Sequence, residues 1–228
     1  METAFDVISI GRVGVDIYPL QVGRGLADDE TFGKFLGGSA TNVAVAAARL
    51  SHRTAVITRT GADPFGRFIH KALAEFAVDD RFVSAVPGRL TPVTFFEIFP
   101  PDDFPLWFYR LPKAPDLEIR AEELDLDEIA AARVFWSIVT GLSQDPSRSA
   151  HYVAWTARSR RPLTILALDY RPMFWHSPAE AMAEVRRALG YVTVAIVKQG
   201  PRGVLGMTAD EMVEVPPSRS RWSTARGR

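Results

Sequence analysis

Residues 37–61 read GGSATNVAVAAARLSHRTAVITRTG. The two glycines at the start lack a Cβ, so the backbone can turn tightly there and a ligand can approach it closely. The alanine-rich run over residues 42–50 has high helix propensity, and Ser39 or Thr41 can cap its start. Residues 54–60 form a short apolar run ended by a glycine, which predicts a buried strand. Turn, helix and strand in this order indicate one unit of an α/β fold, a pattern that is too common to identify a function.

The composition bounds the class of protein. The chain has 228 residues, of which 47% are hydrophobic, enough for a single domain with a sizeable core. Lys+Arg and Asp+Glu are both 27, so the net charge does not favour nucleic acid or an anionic membrane as a partner. There is no cysteine, and no apolar run approaches the roughly 20 residues that a membrane helix needs. The N-terminal METAFDVISIG is acidic and strand-like, unlike a signal peptide, so we expect a cytoplasmic protein.

Predicted strands and helices alternate along the chain. Asp63 and Pro64 open a helix as N-cap and first-turn proline, and the apolar residues that follow recur at core spacing. Ile17, Tyr18 and Leu20 suggest a short edge strand. Further predicted strands cover residues 5–10, 134–139 and 163–168, and further helices cover 121–132, 144–160 and 178–189. Such alternation argues for a parallel sheet with helical crossovers, and therefore for the α/β class.

Residues 91–111, TPVTFFEIFPPDDFPLWFYRL, are rich in aromatic side chains. The Pro-Pro-Asp-Asp sequence at 100–103 predicts the turn of a two-stranded hairpin. The apolar face of such a hairpin needs to be covered by a ligand or by a partner subunit. An ordinary two-stranded hairpin with an exposed apolar face is the alternative that remains open.

Three motifs together resemble the ribokinase-like (phosphofructokinase-B type) carbohydrate kinases. The spacing of small and polar residues within 37–61 matches the N-terminal signature of that family. Residues 11–16, GRVGVD, resemble its first strand and sugar-binding aspartate, and residues 61–66, GADPFG, resemble its Gly-x-Asp-x-x-Gly turn. The resemblance implies a three-layer α/β fold with a central, mostly parallel sheet and a small β lid from about 12–36 and 91–111. It makes residues 1–217 an incomplete kinase domain, and we expect 218–228 to be a disordered basic tail.

The resemblance assigns sugar-binding roles to Asp16, Gly37, Gly38 and Asn42. A carboxylate after the first strand can accept hydrogen bonds from two sugar hydroxyls, and an amide can both donate and accept one. Asn42 lies in the first turn of its predicted helix, beside N–H groups that have no partner within the helix. By itself, an aspartate after a strand would more often form a turn.

Two arginines narrow the implied substrate. The segments FYRLPKAPDL, with Arg110, and LDYRPMFW, with Arg171, resemble the branch of the family that phosphorylates keto-deoxy sugar acids. The substrate implied is 5-dehydro-2-deoxygluconate, from myo-inositol breakdown, whose carboxylate an arginine can pair with through two hydrogen bonds. Arg171 could instead face the transferred phosphate, and either arginine could be a solvated surface residue. Fructokinase or ribokinase specificity is disfavoured by these arginines.

The nucleotide half of the family pattern is incomplete. Residues 197–205, VKQGPRGVL, resemble the strand-turn-strand under the ATP phosphates, which implies that Lys198, Gly200 and Gly203 contact ATP bridged by Mg²⁺. Neither the family's Asn-x-x-Glu motif nor its Gly-Ala-Gly-Asp motif, which forms an anion hole and provides the general base, is present. After VEVPP at 213–217 the sequence continues as SRSRWSTARGR, for which an out-of-frame reading is the preferred explanation.

The predicted function is therefore ATP-dependent phosphorylation of a sugar acid by lineage, with no catalytic residue and no protein metal ligand predicted. The alternative is an inactive remnant that binds sugar acids, or a frameshifted gene product. We expect a small sugar acid and ATP as partners, no nucleic acid and no membrane. Whether the chain forms a homodimer through the lid is left undecided by the sequence.

Overall fold

The computed structural model describes residues 4–101, 103–199, 202–208 and 210–217. The helices are α1 (Ser39–Arg49), α2 (Pro64–Glu75), α3 (Leu126–Ala131), α4 (Ser147–Arg158) and α5 (Pro178–Ala188). The strands are β1 (Val7–Ile10), β2 (Gly14–Pro19), β3 (Phe32–Gly37), β4 (Thr54–Gly61), β5 (Val78–Asp79), β6 (Val83–Val86), β7 (Val93–Phe96), β8 (Leu106–Tyr109), β9 (Val134–Ile138), β10 (Thr164–Leu168), β11 (Val194–Lys198), β12 (Val204–Met207) and β13 (Met212–Val215).

The main sheet has the strand order β13-β12-β11-β10-β9-β1-β4-β5, and β6 also pairs with β4. From β4 through β1, β9 and β10 to β11 all pairs are parallel, whereas β12 and β13 are antiparallel. The central strands are runs of buried apolar residues, as is usual where helices cover both faces of a parallel sheet. The predicted α/β class is confirmed.

Two apolar layers lie on opposite faces of this sheet. Successive strand residues alternate between the faces, so Phe135 packs in one cluster and Trp136 in the other. The first cluster includes Trp155 from α4, and the second includes Ile69 and Leu73 from α2. The chain thus forms the three layers that were predicted, helices, sheet and helices, and the α2 residues with core spacing do pack in the core.

A second, smaller sheet has the order β3-β2-β7-β8 and will be called the small sheet. The predicted aromatic hairpin is present in it as the antiparallel pair β7 and β8, while Asp102 of its turn lies outside the described residues. The prediction of an edge strand around Ile17 was wrong, because β2 lies between β3 and β7. The partner strand Phe32–Gly37 has no regular apolar alternation, so the sequence did not reveal it.

The two helix starts have different caps. Asp63 caps α2 as predicted, accepting a hydrogen bond from Gly66 N at 2.8 Å. At α1 the predicted side-chain cap was wrong, because Gly38 occupies the N-cap position and no side chain caps the helix. Thr41 is instead buried in the first turn. The helix predicted over 121–132 is also shorter, because a 3₁₀ turn at Ala121–Glu123 precedes α3.

Within the described part of the chain, no helix is long and apolar enough to cross a membrane. The predicted disordered tail at 218–228 lies outside the described residues.

Candidate functional site

A cavity of about 500 Å³ lies between the small sheet and the carboxyl ends of β9, β10 and β11. Ligands of open α/β sheets bind at this edge. Polar and charged side chains line the cavity from the loop after β1, from β2, from the start of α1 and from the ends of β10 and β11. These residues are Arg12, Asp16, Asn42, Asp169, Arg171 and Lys198. Tyr18, Phe96, Phe108 and Trp136 contribute aromatic surface.

Asp16 extends from β2 into this cavity. Its Oδ1 atom is buried and has no hydrogen-bond partner among the described residues. Burial raises the pKa of the Asp16 carboxyl above its ordinary value, and the positive charge of Arg12 opposes that rise. A buried acceptor without a partner is costly, so this carboxylate is suited to a ligand that donates hydrogen bonds.

Gly37 and Gly38 shape the cavity more through their missing side chains than through contact. A Cβ on Gly37 would lie 2.2 Å from Asp16 Cγ, so glycine is needed for the carboxylate to occupy its place. Gly38 has φ +105°, and a Cβ there would lie 2.4 Å from the Arg12 carbonyl oxygen. The start of α1 can therefore pack directly against the loop after β1, which brings Asn42 to the cavity wall.

Basic side chains also line the cavity. Arg171 Nε lies 3.2 Å from Asp169 Oδ1 in an ion pair. The guanidinium carbons of Arg171 and Arg12 lie 5.9 and 5.1 Å from the centroid of the Phe108 ring. Lys198, which the sequence assigned to the nucleotide, lines the same cavity as Asp16.

Arg110 does not line the cavity, contrary to the placement that the sequence suggested. Its Nη2 atom forms an ion pair with Asp116 Oδ2 at 3.1 Å, and both side chains are buried. The guanidinium also lies over Phe174, at 4.4 Å from the ring centroid. Asp116, on the turn Pro115–Glu118, engages the charge that was expected to meet a sugar acid. Arg110 instead borders a neighbouring, mainly apolar cavity of about 740 Å³.

The predicted nucleotide contacts separate in space. Gly203 has φ +95°, and a Cβ there would lie 2.1 Å from the carbonyl oxygen of Val215, so glycine lets the chain after β13 pack closely. Gly203 is not among the residues that line the 500 Å³ cavity. Gly200 lies outside the described residues.

Comparison with known proteins identifies the family. Residues 4–199 match the family model described as pfkB family carbohydrate kinase. The chain belongs to this family.

Several curated relatives of this pfkB-family chain share a name. Proteins named 5-dehydro-2-deoxygluconokinase from Listeria monocytogenes serotype 4a and from Photobacterium profundum are each 34% identical to it, over 181 and 193 residues. These alignments cover 78% and 84% of the chain but only 55% and 58% of the relatives. The chain thus spans little more than half the length of the curated relatives that it matches.

Solved structures of carbohydrate kinases share the fold. A PfkB protein from Polaromonas sp. JS666 superimposes with a TM-score of 0.79 at 19% identity, covering 93% of this chain and 83% of that one. An uncharacterized sugar kinase from Pyrococcus horikoshii superimposes with a TM-score of 0.74 at 20% identity, covering 92% and 79%. The ribokinase-like fold expected from the sequence is confirmed.

The pfkB-family cavity was predicted only in part. Asp16, Asn42, Gly38 and Arg171 were expected at a sugar site and do line one cavity. The sequence analysis missed Arg12, although it lies four residues before Asp16, at the carboxyl end of β1. That position, at the ligand-binding edge of the sheet, is the signal that could have identified it.

Replacing Gly37 by alanine should displace the Asp16 carboxylate and so weaken, by about tenfold or more, the binding of a ligand that donates hydrogen bonds to it, because the new methyl group would lie 2.2 Å from Asp16 Cγ. Calorimetric titration of the folded variant measures this. Gly190→Ala is the matched control, since a Cβ there meets only Arg187 O at an ordinary 3.4 Å. Equal affinities for Gly37→Ala and the parent chain would contradict the prediction.

Proposed function

We propose that this chain carries the sugar-binding half of an ATP-dependent kinase that phosphorylates an alcohol group of 5-dehydro-2-deoxygluconate. The observation that carries the proposal is the pairing, in one cavity, of an unpartnered buried Asp16 oxygen with the basic side chains of Arg12, Arg171 and Lys198. A sugar acid needs both: acceptors for its hydroxyls and cations for its carboxylate. The names of the curated relatives support the same substrate.

Within this proposal, the residues of the small sheet and of the main sheet have separate tasks. Asp16 accepts hydrogen bonds from sugar hydroxyls, and Asn42 adds one more hydrogen bond from the start of α1. Arg171, steadied by Asp169, and Lys198 provide positive charge near the strand ends, where the anionic groups of the substrate and of the phosphoryl donor meet. The small sheet, which includes residues from both predicted lid segments, covers the sugar.

ATP supplies the transferred phosphoryl group in this proposal, and Lys198, Gly200 and Gly203 remain its proposed contacts. Solved relatives of the same fold include a sugar kinase from Pyrococcus horikoshii in complex with ATP. The described residues contain no group of three or more His, Cys, Asp or Glu side chains that could hold a metal ion. Mg²⁺ bound to the phosphates of ATP remains the proposed metal, since magnesium is usually held by one or two carboxylates together with substrate phosphates.

Truncating Asp16 or Asn42 to alanine should weaken binding of 5-dehydro-2-deoxygluconate. Losing a hydrogen bond to a charged group costs about 1.5–3 kcal/mol, which is about 10- to 150-fold in affinity for Asp16. The neutral amide of Asn42 should contribute less, about 0.5–1.5 kcal/mol. Calorimetry on the full chain measures both affinities.

Asp28→Ala is the control for these titrations, because Asp28 is an exposed aspartate outside the cavity. Fructose serves as a neutral ligand. Unchanged affinity in both cavity variants, or preference of the parent chain for fructose over the acid, would refute the proposed sugar-acid site.

The proposal also covers the partner and the compartment. Trp107 and Tyr109, 54% and 65% exposed, give the small sheet an apolar outer face that a second copy of the chain could cover. We place the protein in the cytoplasm, where ATP is available. Sedimentation of the chain and of the Trp107→Glu variant tests whether it forms a dimer.

The alternative function is a chain that binds the acid without phosphorylating it. Measurement of turnover separates this alternative from the proposed kinase.

A further inference from the structure

Among the described residues, Arg12 lines the cavity without an acidic side chain in ion-pair contact; Lys198 also has none, but its side chain is exposed, whereas Arg12 is partly buried. Among the described residues its side chain has no ion pair and no hydrogen bond, and only longer-range charges act on it. Arg171 differs because Asp169 lies 3.2 Å away, and Arg110 differs because Asp116 lies 3.1 Å away. A partly buried guanidinium without a counter-charge is costly, and arginine does not lose its proton in proteins.

The position of Arg12 is fixed by its neighbours. Gly11, with φ +136°, turns the chain sharply after β1, and the Arg12 guanidinium lies over the ring of Phe108. This cation–π contact, 5.1 Å from the guanidinium carbon to the ring centroid, restrains the guanidinium at the cavity wall. The arginine is therefore held in place before any ligand arrives, which reduces the entropy lost on binding.

The charges around Arg12 favour an anion. Burial lowers the pKa of the Arg12 guanidinium, and the positive charges of Arg110 and Arg171 lower it further, whereas Asp116 and Asp16 act in the opposite direction. Asp16 does not neutralise Arg12 directly, because no ion pair within 4.0 Å joins the two. Both groups line the cavity, so a single ligand can meet them at the same time.

We propose that Arg12, and not Arg110, binds the carboxylate of the sugar acid, through two parallel N–H···O hydrogen bonds, and so selects acids over neutral sugars. This inference rests on the proposed function. Asp16 lies in the same cavity. The preferred ligand is therefore a single small acid whose carboxylate contacts Arg12 while its hydroxyls donate hydrogen bonds to Asp16. Arg110, which is buried and ion-paired with Asp116, is assigned a structural role.

The test compares two ligands that differ only in charge: 5-dehydro-2-deoxygluconate and its neutral carboxamide. Calorimetry on the full chain without nucleotide should show that Arg12→Met binds the acid about 10- to 100-fold more weakly, with less than threefold change for the carboxamide. Arg12→Lys keeps the positive charge but loses the planar guanidinium, so its affinity for the acid should lie between those of the parent chain and Arg12→Met. A separate titration with ATP alone should show no comparable loss.

Thermal unfolding distinguishes a ligand-binding role of Arg12 from a structural one. Removing an unpaired buried charge should leave the unfolding temperature of Arg12→Met unchanged or higher. Three results for Arg12→Met would overturn the inference. They are equal losses of affinity for acid and carboxamide, a lowered unfolding temperature with weaker binding of both ligands, and a loss of affinity confined to ATP. Should the Met variant fail to fold, the same criteria apply to Arg12→Lys.

The two proposals fail in different ways. A parent chain that binds the acid well, together with an Arg12→Met variant that binds it equally well, refutes the role of Arg12 and leaves the proposed function intact. A parent chain that does not distinguish the acid from the carboxamide refutes both.

Discussion

Supplied with ATP, Mg²⁺ and 5-dehydro-2-deoxygluconate, the 228-residue polypeptide should phosphorylate the sugar acid at least about 10⁴-fold more slowly than the Listeria monocytogenes relative. Phosphoryl transfer depends on positioning and on stabilising charge that moves toward the leaving group. In the family the Gly-Ala-Gly-Asp motif is expected to do this, and the sequence does not contain it. Losing one preorganised donor costs on the order of 10²–10³ in rate, and losing the general base about 10²–10⁴.

The carboxylates in the cavity are poor substitutes for the missing base. Asp169 forms an ion pair with Arg171, whose Nε lies 3.2 Å from Asp169 Oδ1, so Asp169 would have to leave that pair to act as a base. Asp16 is the proposed acceptor for sugar hydroxyls and would have to leave that role. The rate measurement should include Asp169→Asn and Arg171→Met; if Asp169 takes no proton and only positions Arg171, Asp169→Asn should lower the residual rate no more than Arg171→Met does.

The decisive comparison is a chimera in which the segments that the relative has beyond the matched region are joined to this chain. We expect turnover to rise by several orders of magnitude in the chimera while the affinity for the sugar acid stays within a few-fold. Comparable turnover by the chain alone and by the chimera would contradict the prediction. It would mean that another residue of this chain acts as the general base.

Replacing Arg110 by methionine should destabilise the fold by about 3–5 kcal/mol, because it leaves the Asp116 carboxylate buried without its partner. Asp116 is only 2% exposed, and its ion pair with Arg110 is itself buried. Denaturant unfolding followed by fluorescence measures the loss. Arg12→Met, which removes an arginine without an ion pair among the described residues, is the matched control and should not lose stability.

A double-mutant cycle separates the cost of leaving Asp116 unpaired from the cost of losing the packing of the Arg110 side chain. In Arg110→Met with Asp116→Leu no charge is left unpaired, so the double variant should be more stable than the single Arg110→Met variant. If Arg110→Met were as stable as the parent and bound the sugar acid more weakly, Arg110 would be a ligand residue after all. The role first suggested by the sequence would then be right.

Short-range features of the fold were accessible from the sequence. Apolar runs marked the central strands because helices cover them on both faces, and Asp63 marked the start of α2 because capping involves neighbouring residues only. The place of β2 inside the small sheet was not accessible. It depends on hydrogen bonds to Phe32–Gly37 and Val93–Phe96, which are set by pairing across the chain and not by a local apolar pattern.

The candidate site divides in the same way. The sequence by itself determined the family and predicted Asp16 and Asn42 as site residues, because closely spaced glycines and polar residues constrain a single turn and helix start; both do line the cavity. Only the tertiary structure decided which arginine lines the cavity with Asp16. Arg110 and Arg12 are equally charged in the sequence, but packing buries Arg110 against Asp116 and leaves Arg12 over Phe108 in the cavity. A charge acquires its role from the partners that folding brings within a few ångströms, and those partners lie on other elements of the chain.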